Sequence, residues 1–186
     1  MNPLTLTELE AGLDAIRGAP KDAGVLQLIV RRPQNGQREV LQAGRLELTD
    51  GLVGDNWKTR SHSRTPNPDT QLTVTNSRVI ALLAQTQDRW PLAGDQLFID
   101  LDLSKDNVPS GTRLAVGSAV IEVTPPPHTG CKKFMGHFGQ EALNFVNSRT
   151  GKHLQLRGIN AKVIQPGMIR VGDVAKKLAP EGCVTA

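Results

Sequence analysis

Short apolar runs separated by Gly- and Pro-containing turns constrain the fold of this chain more than any other feature of its sequence. The chain has 186 residues, of which 18 are Gly and 12 are Pro. Apolar runs rich in Val, Leu and Ile occupy residues 25–30, 71–75, 94–103 and 110–124. Close turns between short strands are typical of β-barrels and strongly bent sheets. The pattern therefore predicts a mostly β, barrel-type fold with a few peripheral short helices.

Three segments have helical spacing. Residues 5–18, in an N-terminal helical region that we place at 1–20, carry Leu at helical intervals and Thr5 as a candidate cap. The stretch "NSRVIALLAQ" predicts a helix capped by Asn76, and "QEALNFVNSRTG" predicts a short helix closed by Gly151. These helices are too few and too short to form a bundle.

Turn signals connect the predicted strands. Asn35-Gly36 predicts a hairpin whose return strand is "REVLQAGRLEL", residues 38–48. The segment "RGINAKVIQPGMIRVGDVAKKL" predicts a strand, a Pro-Gly turn and a second strand. Residues 179–186 predict a loose tail. No shift in composition divides the chain, so we expect one domain over residues 1–186.

Composition excludes several classes of function. The net charge is +4, with neither a long Lys/Arg run nor aromatic residues interleaved with basic ones, so we expect no nucleic-acid partner. We also expect no membrane partner, because no run of about 18 apolar residues occurs. The N-terminal stretch does not resemble a secretion signal. Two cysteines are too few for a disulfide framework, which predicts reduced thiols and a cytoplasmic location.

The stretch "TPPPHTGCKKFMGHFG", residues 124–139, contains one of those two cysteines, Cys131. Proline fixes φ and lacks an amide donor, so the approach to Cys131 predicts a rigid surface segment that cannot pair as an interior strand. His128, Lys132 and Lys133 surround the thiol, and a helix from about residue 138 follows. Positive charge favours the thiolate, which is the nucleophilic and metal-binding form. We therefore expect Cys131 to be partly exposed and its thiol to be unusually acidic.

Other interpretations of Cys131 stay open at this stage. Free cysteines are often small buried apolar residues. The spacing His128-x2-Cys131-x5-His137 is a weak zinc signal, because structural zinc takes four ligands and the other candidates are His62, His153 and Cys183. Hydrolysis by a Cys–His pair has no supporting local signature.

A second candidate region is the polar loop "TDGLVGDNWKTRSHSRTPNPDT", residues 49–70. Loops of this length are uncommon unless they are functional or disordered. On the functional interpretation, Asp55 orients the loop while Lys58, Arg60 or Arg64 meets a phosphate. On the structural one, the Gly-Asp pairs are ordinary turns and the loop is solvated. Arg32, at the end of the first strand, is a further candidate contact for an anionic ligand.

Three segments together resemble the MOSC domain, the module named after the C-terminal part of molybdenum cofactor sulfurases. They are "LTDGLVGDNW", "PLAGDQLFIDLDLSKDNVPSGTRLAVGSAVIEVTPPPHTGCKKF" and "RGINAKVIQPGMIRVGDVAKK", in the order found in that family. The resemblance covers roughly residues 25–177. It implies a β-barrel-type fold with a few helices.

The resemblance also implies a ligand and a role for the cysteine. Cys131 would be the family's characteristic cysteine, acting as a molybdenum ligand or as a persulfide sulfur carrier. The cofactor would be the molybdenum cofactor, an anionic pterin phosphate, for which Arg32, Asp55, Lys58, Arg60, His128 and Lys132 are the candidate binding residues. Pyridoxal phosphate is not expected, because the desulfurase domain that uses it is absent from this sequence.

Two alternative functions follow from the same resemblance. Related proteins resemble molybdenum cofactor-dependent reductases of N-hydroxylated compounds, which would require a small-molecule substrate and an electron-donor protein. Sulfur carriage would require a sulfur-donor protein instead. The segments "TPNPDT" and "GDQL" depart from the family pattern, which motivates a third possibility, a cofactor-free β-barrel interaction module.

Overall fold

The computed structural model describes residues 2–59 and 65–179, which form eleven strands and six α-helices. The strands are β1 (Ala23–Arg31), β2 (Glu39–Leu41), β3 (Ala43–Glu47), β4 (Gly51–Leu52), β5 (Leu72–Asn76), β6 (Leu97–Ile99), β7 (Arg113–Val116), β8 (Ala119–Pro127), β9 (Ile159–Gln165), β10 (Gly167–Arg170) and β11 (Val174–Lys177). The helices are α1 (Leu6–Ala11), α2 (Leu13–Arg17), α3 (Ser77–Ala84), α4 (Lys132–Phe138), α5 (Gln140–Asn147) and α6 (Arg149–His153).

Seven of the described strands close into a barrel. Their order is β11-β7-β8-β9-β5-β6-β1, and β1 pairs again with β11 to complete the ring. All neighbours in the ring are antiparallel except β5 and β6, which are parallel. Fully buried apolar residues such as Leu26, Leu72, Leu97 and Ile121 belong to one cluster that forms the core. The predicted mostly β, barrel-type fold is confirmed.

A smaller sheet, in the order β10-β3-β4, corrects two predictions about strands. The expected single strand over 38–48 is two strands: β2 extends the pairing of β1, whereas β3 pairs with β10 and β4. The expected closing pair is three strands, because β10 leaves the barrel to pair with β3. Sequence patterns identify strand residues but not which partner a short strand meets.

Strand β8 reaches further into the proline stretch than the sequence predicts, although the prolines lie at an edge and not inside the sheet. Strand β8 continues to Pro127, which pairs with Ile159 of β9. Pairing between β7 and β8 stops at Arg113 and Glu122, so the prolines face β9 alone. Proline is tolerated there because an edge position requires fewer ladder donors.

Helices cover one side of the barrel through a second apolar cluster. The N-terminal helical region is two helices separated at Gly12, and Thr5 forms the cap with Glu8. Helix α4 begins at Lys132, before the expected start near residue 138, and buries Phe134 and Phe138. Asn76 caps α3 as predicted. In the part of the chain that the structure describes, no helix is long and apolar enough to cross a membrane.

Candidate functional site

A cavity of about 440 Å³ lies where the loop after β1, the end of β8 and the start of α4 meet. Ligand pockets commonly occupy about 300–1,000 Å³, so this volume can hold a small molecule. The charged, imidazole and thiol side chains on its wall are those of Arg32, Arg38, His128, Cys131, Lys133, His137 and Arg157. Cations predominate on this wall, which suits an anionic ligand.

Cys131 lies on the cavity wall with an exposed side chain and no disulfide. It directly precedes α4, at φ −127° and ψ 177°. The preceding loop is fixed by Asn147, whose side chain accepts a hydrogen bond from the Gly130 amide at 2.9 Å and donates to the Gly130 carbonyl at 3.2 Å. The thiol is therefore held at the cavity by the helix start on one side and the anchored Gly130 on the other.

Arg32 and Asp55 form a buried ion pair in the wall. The Arg32 guanidinium donates to both Asp55 oxygens, at 2.9 and 2.8 Å, and to the Gly94 carbonyl at 2.7 Å. Their side chains are only 9% and 0% exposed. The amide of Trp57 donates to Asp55 at 3.0 Å, which fixes the start of the following loop. The pair thus joins β1, the Gly94 turn and the polar loop.

The other cations named from the sequence lie elsewhere. Lys58 forms an exposed ion pair with Asp50 at 2.6 Å and is absent from the cavity wall. Lys132 is exposed and does not line the cavity, whereas its neighbour Lys133 does. Arg60 lies outside the described residues, as do the other candidates from the sequence, Arg64, His62 and Cys183.

Arg38 and Lys133 line the cavity but are not among the binding residues that the sequence predicts. Arg38 donates to the carbonyls of Pro91 and Gln37, at 3.2 and 2.7 Å, and Lys133 donates to the Asn35 side chain at 3.1 Å. Among the residues that the structure describes, neither forms an ion pair with a carboxylate. Burial lowers the pKa of Arg38, and the nearby positive charge of Arg32 lowers it further. The negative charge of an anionic ligand in the cavity would oppose this lowering of the Arg38 pKa.

The sequence contains only weak indications that Arg38 and Lys133 line the cavity. The sequence predicts a continuous return strand that begins at Arg38. In the structure, Arg38 instead closes the loop of residues 32–38 between β1 and β2, where Gly36 has a φ of +87°. Lys133 was noted only as a neighbour of Cys131. Its position one residue inside α4 turns it toward the cavity, which the adjacent Lys132 does not line.

A second buried ion pair lies behind the wall and includes the altered "GDQL" segment. Asp95 is fully buried and accepts a hydrogen bond from Arg157 at 2.6 Å. Its other oxygen, Oδ1, lies 3.5 Å from Nδ1 of His128. Burial raises the pKa of Asp95, although the positive charge of Arg157 opposes that shift. The next residue, Gln96, accepts hydrogen bonds from the Thr73 amide and hydroxyl at 2.8 and 2.6 Å.

The zinc interpretation finds no support in the described part of the chain. Within residues 2–59 and 65–179, no group of three or more His, Cys, Asp or Glu side chains could hold a metal ion. His128 and His137 share the cavity wall with Cys131, while His153 pairs with Asp106. The described residues alone therefore do not supply a complete protein ligand set for a metal at the Cys131 sulfur.

Comparison with protein families gives a match to the MOSC domain over residues 67–176. The matched stretch contains Asp95, His128, Cys131 and Arg157. Arg38 and the rest of the loop after β1 precede it, so the N-terminal wall of the cavity lies outside the match.

Solved structures share the fold at low sequence identity. YuaD from Bacillus subtilis is 14% identical with a TM-score of 0.56, and the match covers 83% of this chain and 96% of that one. YiiM from Escherichia coli is 22% identical with a TM-score of 0.55, over 84% of this chain and 70% of that one. YiiM from Geobacillus stearothermophilus is 16% identical with a TM-score of 0.52, over 87% and 75%. No curated protein matches the chain significantly.

Proposed function

This chain belongs to the MOSC domain family, and on that premise we propose that it binds the molybdenum cofactor in the cavity beside Cys131. MOSC domains are generally associated with functions related to this cofactor. The observation that carries the proposal is the shared wall: an exposed thiol, Arg38 and Lys133 all face one cavity of about 440 Å³.

The donor set fits the cofactor chemically. A thiolate is a soft ligand of the kind that suits transition metals bound through sulfur. Arg38 and Lys133 have no carboxylate partner among the described residues and could neutralise a phosphate, for which guanidinium and ammonium groups are common ligands. Arg32 also lines the cavity, but Asp55 and Gly94 already accept three of its five guanidinium N–H groups and Asp55 neutralises its charge. When bound, the cofactor would supply a redox-active molybdenum centre.

Sulfur carriage is an alternative use of the same thiol. The Cys131 thiolate would attack the outer sulfur of a persulfide on a sulfur-donor protein. A new S–S bond would form at Cys131, the donor's S–S bond would break, and its electron pair would leave with the donor's thiolate. Exposure of Cys131 supports this use, because the donor must reach the sulfur. Both uses agree with a cytoplasmic location, which we propose from the small number of cysteines.

Reduction of an N-hydroxylated compound is the second candidate function. Such a reaction converts R–NHOH to R–NH₂ and water, and it consumes two electrons and two protons. The electrons would come from a separate electron-donor protein. His128 and His137 on the cavity wall favour this candidate, because imidazoles exchange protons near neutral pH and simple carriage needs no such group.

The alternative of a cofactor-free interaction module predicts a different environment for Cys131. A barrel that had lost its ligand would have no reason to keep an exposed thiol on a cationic cavity. Cys131 is exposed there, and the "GDQL" residues maintain buried contacts to Arg157 and Thr73. These observations favour a ligand-binding protein.

Copurification tests the proposal. The protein should be made in a host that synthesises the cofactor, then analysed for molybdenum by mass spectrometry and for pterin by fluorescence. We expect both in the wild type and in Cys183→Ser, and neither in Cys131→Ser. Absence of both from the wild type would contradict cofactor binding. A sulfur adduct of about 32 Da on Cys131, without molybdenum, would favour sulfur carriage instead.

A further inference from the structure

Asp95 has a buried side chain of which only one oxygen accepts a hydrogen bond among the described residues. Its side chain is 0% exposed, and Arg157 holds one oxygen at 2.6 Å. The other oxygen, Oδ1, has no hydrogen-bond partner within the normal distance among the described residues. Buried polar atoms left unpaired destabilise the folded state, and native proteins keep few of them. This oxygen therefore calls for an explanation.

His128 lies next to that oxygen. Its Nδ1 is buried and lies 3.5 Å from Asp95 Oδ1, while the ring lines the cavity and the side chain is 15% exposed. The other ring nitrogen, Nε2, lies on the opposite side of the imidazole from Nδ1, and His128 lines the cavity. A histidine with one nitrogen beside a buried carboxylate and the other edge at a cavity has the arrangement of a proton-exchanging residue.

Arg157 fixes the carboxylate from behind. It donates to Asp95 and to the Ala93 carbonyl at 2.8 Å, and its guanidinium lies 4.9 Å from the centre of the Phe134 ring. Arg157 is 62 residues from Asp95 in the chain, so the pair ties the turn before β6 to the start of β9. A carboxylate held in this way can orient an imidazole without moving.

We propose that His128 exchanges protons with a ligand in the cavity and that Asp95 and Arg157 are its positioning residues. This inference deepens the proposed function and rests on it for the identity of the ligand. Protonated His128 would give its Nε2 proton to a basic oxygen or nitrogen of the ligand. It would then be neutral, keep its Nδ1 proton toward Asp95, and regain a proton from solvent through the cavity mouth.

Charged groups from several elements share this environment. Asp95 precedes β6, Arg157 precedes β9, and the loop after β1 contributes Arg32 and Arg38. The remaining titratable groups on the wall are Cys131, Lys133 and His137. His128 is therefore surrounded by several cations and one buried carboxyl group.

Nuclear magnetic resonance of the imidazole nitrogens tests the proposal in the cofactor-free protein. We expect neutral His128 to carry its proton on Nδ1, and we expect the ring to titrate between about pH 5 and 8. Asp95→Asn should lower the titration midpoint of His128 because it removes a neighbouring negative charge. The matched control is Asp106→Asn, which should affect His153 and leave His128 unchanged.

Two results would overturn the proposal without any reference to the cofactor. One is a proton on Nε2 of neutral wild-type His128, and the other is a ring that stays neutral throughout that pH range. Both are measured on the wild type, so they remain decisive if Asp95→Asn fails to fold. Failure of the proposed function has a different signature, since the protein would then lack molybdenum and pterin while His128 still titrated.

If the loaded protein reduces an N-hydroxylated substrate, a kinetic test follows. His128→Gln should lower the rate near neutral pH by about 10²-fold and remove the decline in rate at alkaline pH. The rates of the two proteins should be compared per bound molybdenum, so that a loss of cofactor is not counted as a loss of proton exchange. An unchanged pH profile in His128→Gln would contradict proton exchange by this residue.

Discussion

Two carboxylate–histidine pairs in this protein have similar chemistry and opposite surroundings. Asp95 and His128 are 0% and 15% exposed beside the cavity, whereas Asp106 and His153 are 78% and 54% exposed on the surface. The surface pair is the closer one, at 3.0 Å against 3.5 Å. Water screens the surface charges, while the buried pair is strongly influenced by the few groups around it. Burial therefore matters more than distance in deciding which pair can have a function.

The Arg32–Asp55 and Lys58–Asp50 ion pairs show the same contrast between burial and exposure. Arg32 and Asp55 are nearly inaccessible and make three hydrogen bonds between them, if the Arg32 amide is included. Lys58 and Asp50 form a single exposed contact. We expect mutations to separate these classes clearly, with the largest effects at the buried pairs.

The largest expected effect is on stability at the first buried pair. Asp55→Ala leaves the Arg32 guanidinium buried without a counter-charge, so we expect the free energy of unfolding to fall by about 3–5 kcal/mol. Asp50→Ala, at the exposed Lys58 pair, should cost less than about 1 kcal/mol. Urea denaturation of both variants measures the difference. Equal losses in the two variants would show that burial does not separate these pairs.

The next effect concerns two adjacent lysines. Lys133 lines the cavity and Lys132 does not. Hydrogen bonds to charged groups contribute about 1.5–3 kcal/mol, so Lys133→Met should weaken binding of inorganic phosphate by about tenfold or more. Lys132→Met should change it less than about twofold, because only long-range charge is lost. Isothermal titration calorimetry at low salt distinguishes them, and equal effects would contradict the cavity as the anion site.

A smaller effect is expected in the pH dependence of stability. Burial raises the pKa of Asp95 above its ordinary value of 3.8, so the fold favours the protonated carboxyl. The stability that this preference contributes is fully present below pH 3.8 and is lost as pH rises through the folded-state pKa. The stability of the wild type relative to Asp95→Asn should therefore fall as pH rises from that region toward 7. Urea denaturation across this pH range measures the trend. A rise in the relative stability of the wild type would contradict a raised pKa of Asp95.

The smallest effect is expected at the exposed histidine pair. Asp106→Asn should change the free energy of unfolding by less than about 1 kcal/mol, because both side chains are mostly exposed. The effect should shrink further in 1 M salt, where screening is strong. Thermal or chemical denaturation at two salt concentrations provides the measurement. A large loss in the free energy of unfolding that does not depend on salt would show that the exposed pair contributes to stability like a buried one.

Much of the fold could be predicted from local patterns. The apolar run of β1 and the Asn76 cap of α3 are properties of neighbouring residues, which the sequence displays directly. The division between barrel and small sheet could not be predicted. Strands β3 and β10 are more than 100 residues apart, and which short strands meet depends on closure of the whole barrel.

The candidate site divides in the same way. That Cys131 follows a stiff proline segment and lies among cations could be predicted, because residue type and spacing are local properties. Folding of the whole chain was needed to bring Arg38, Lys133 and Arg157 to the cavity and to leave Lys58 and Lys132 away from it. It also placed Asp95 behind His128, 33 positions away along the chain. The physical reason is that burial and charge pairing arise from long-range strand contacts, which composition and spacing do not encode.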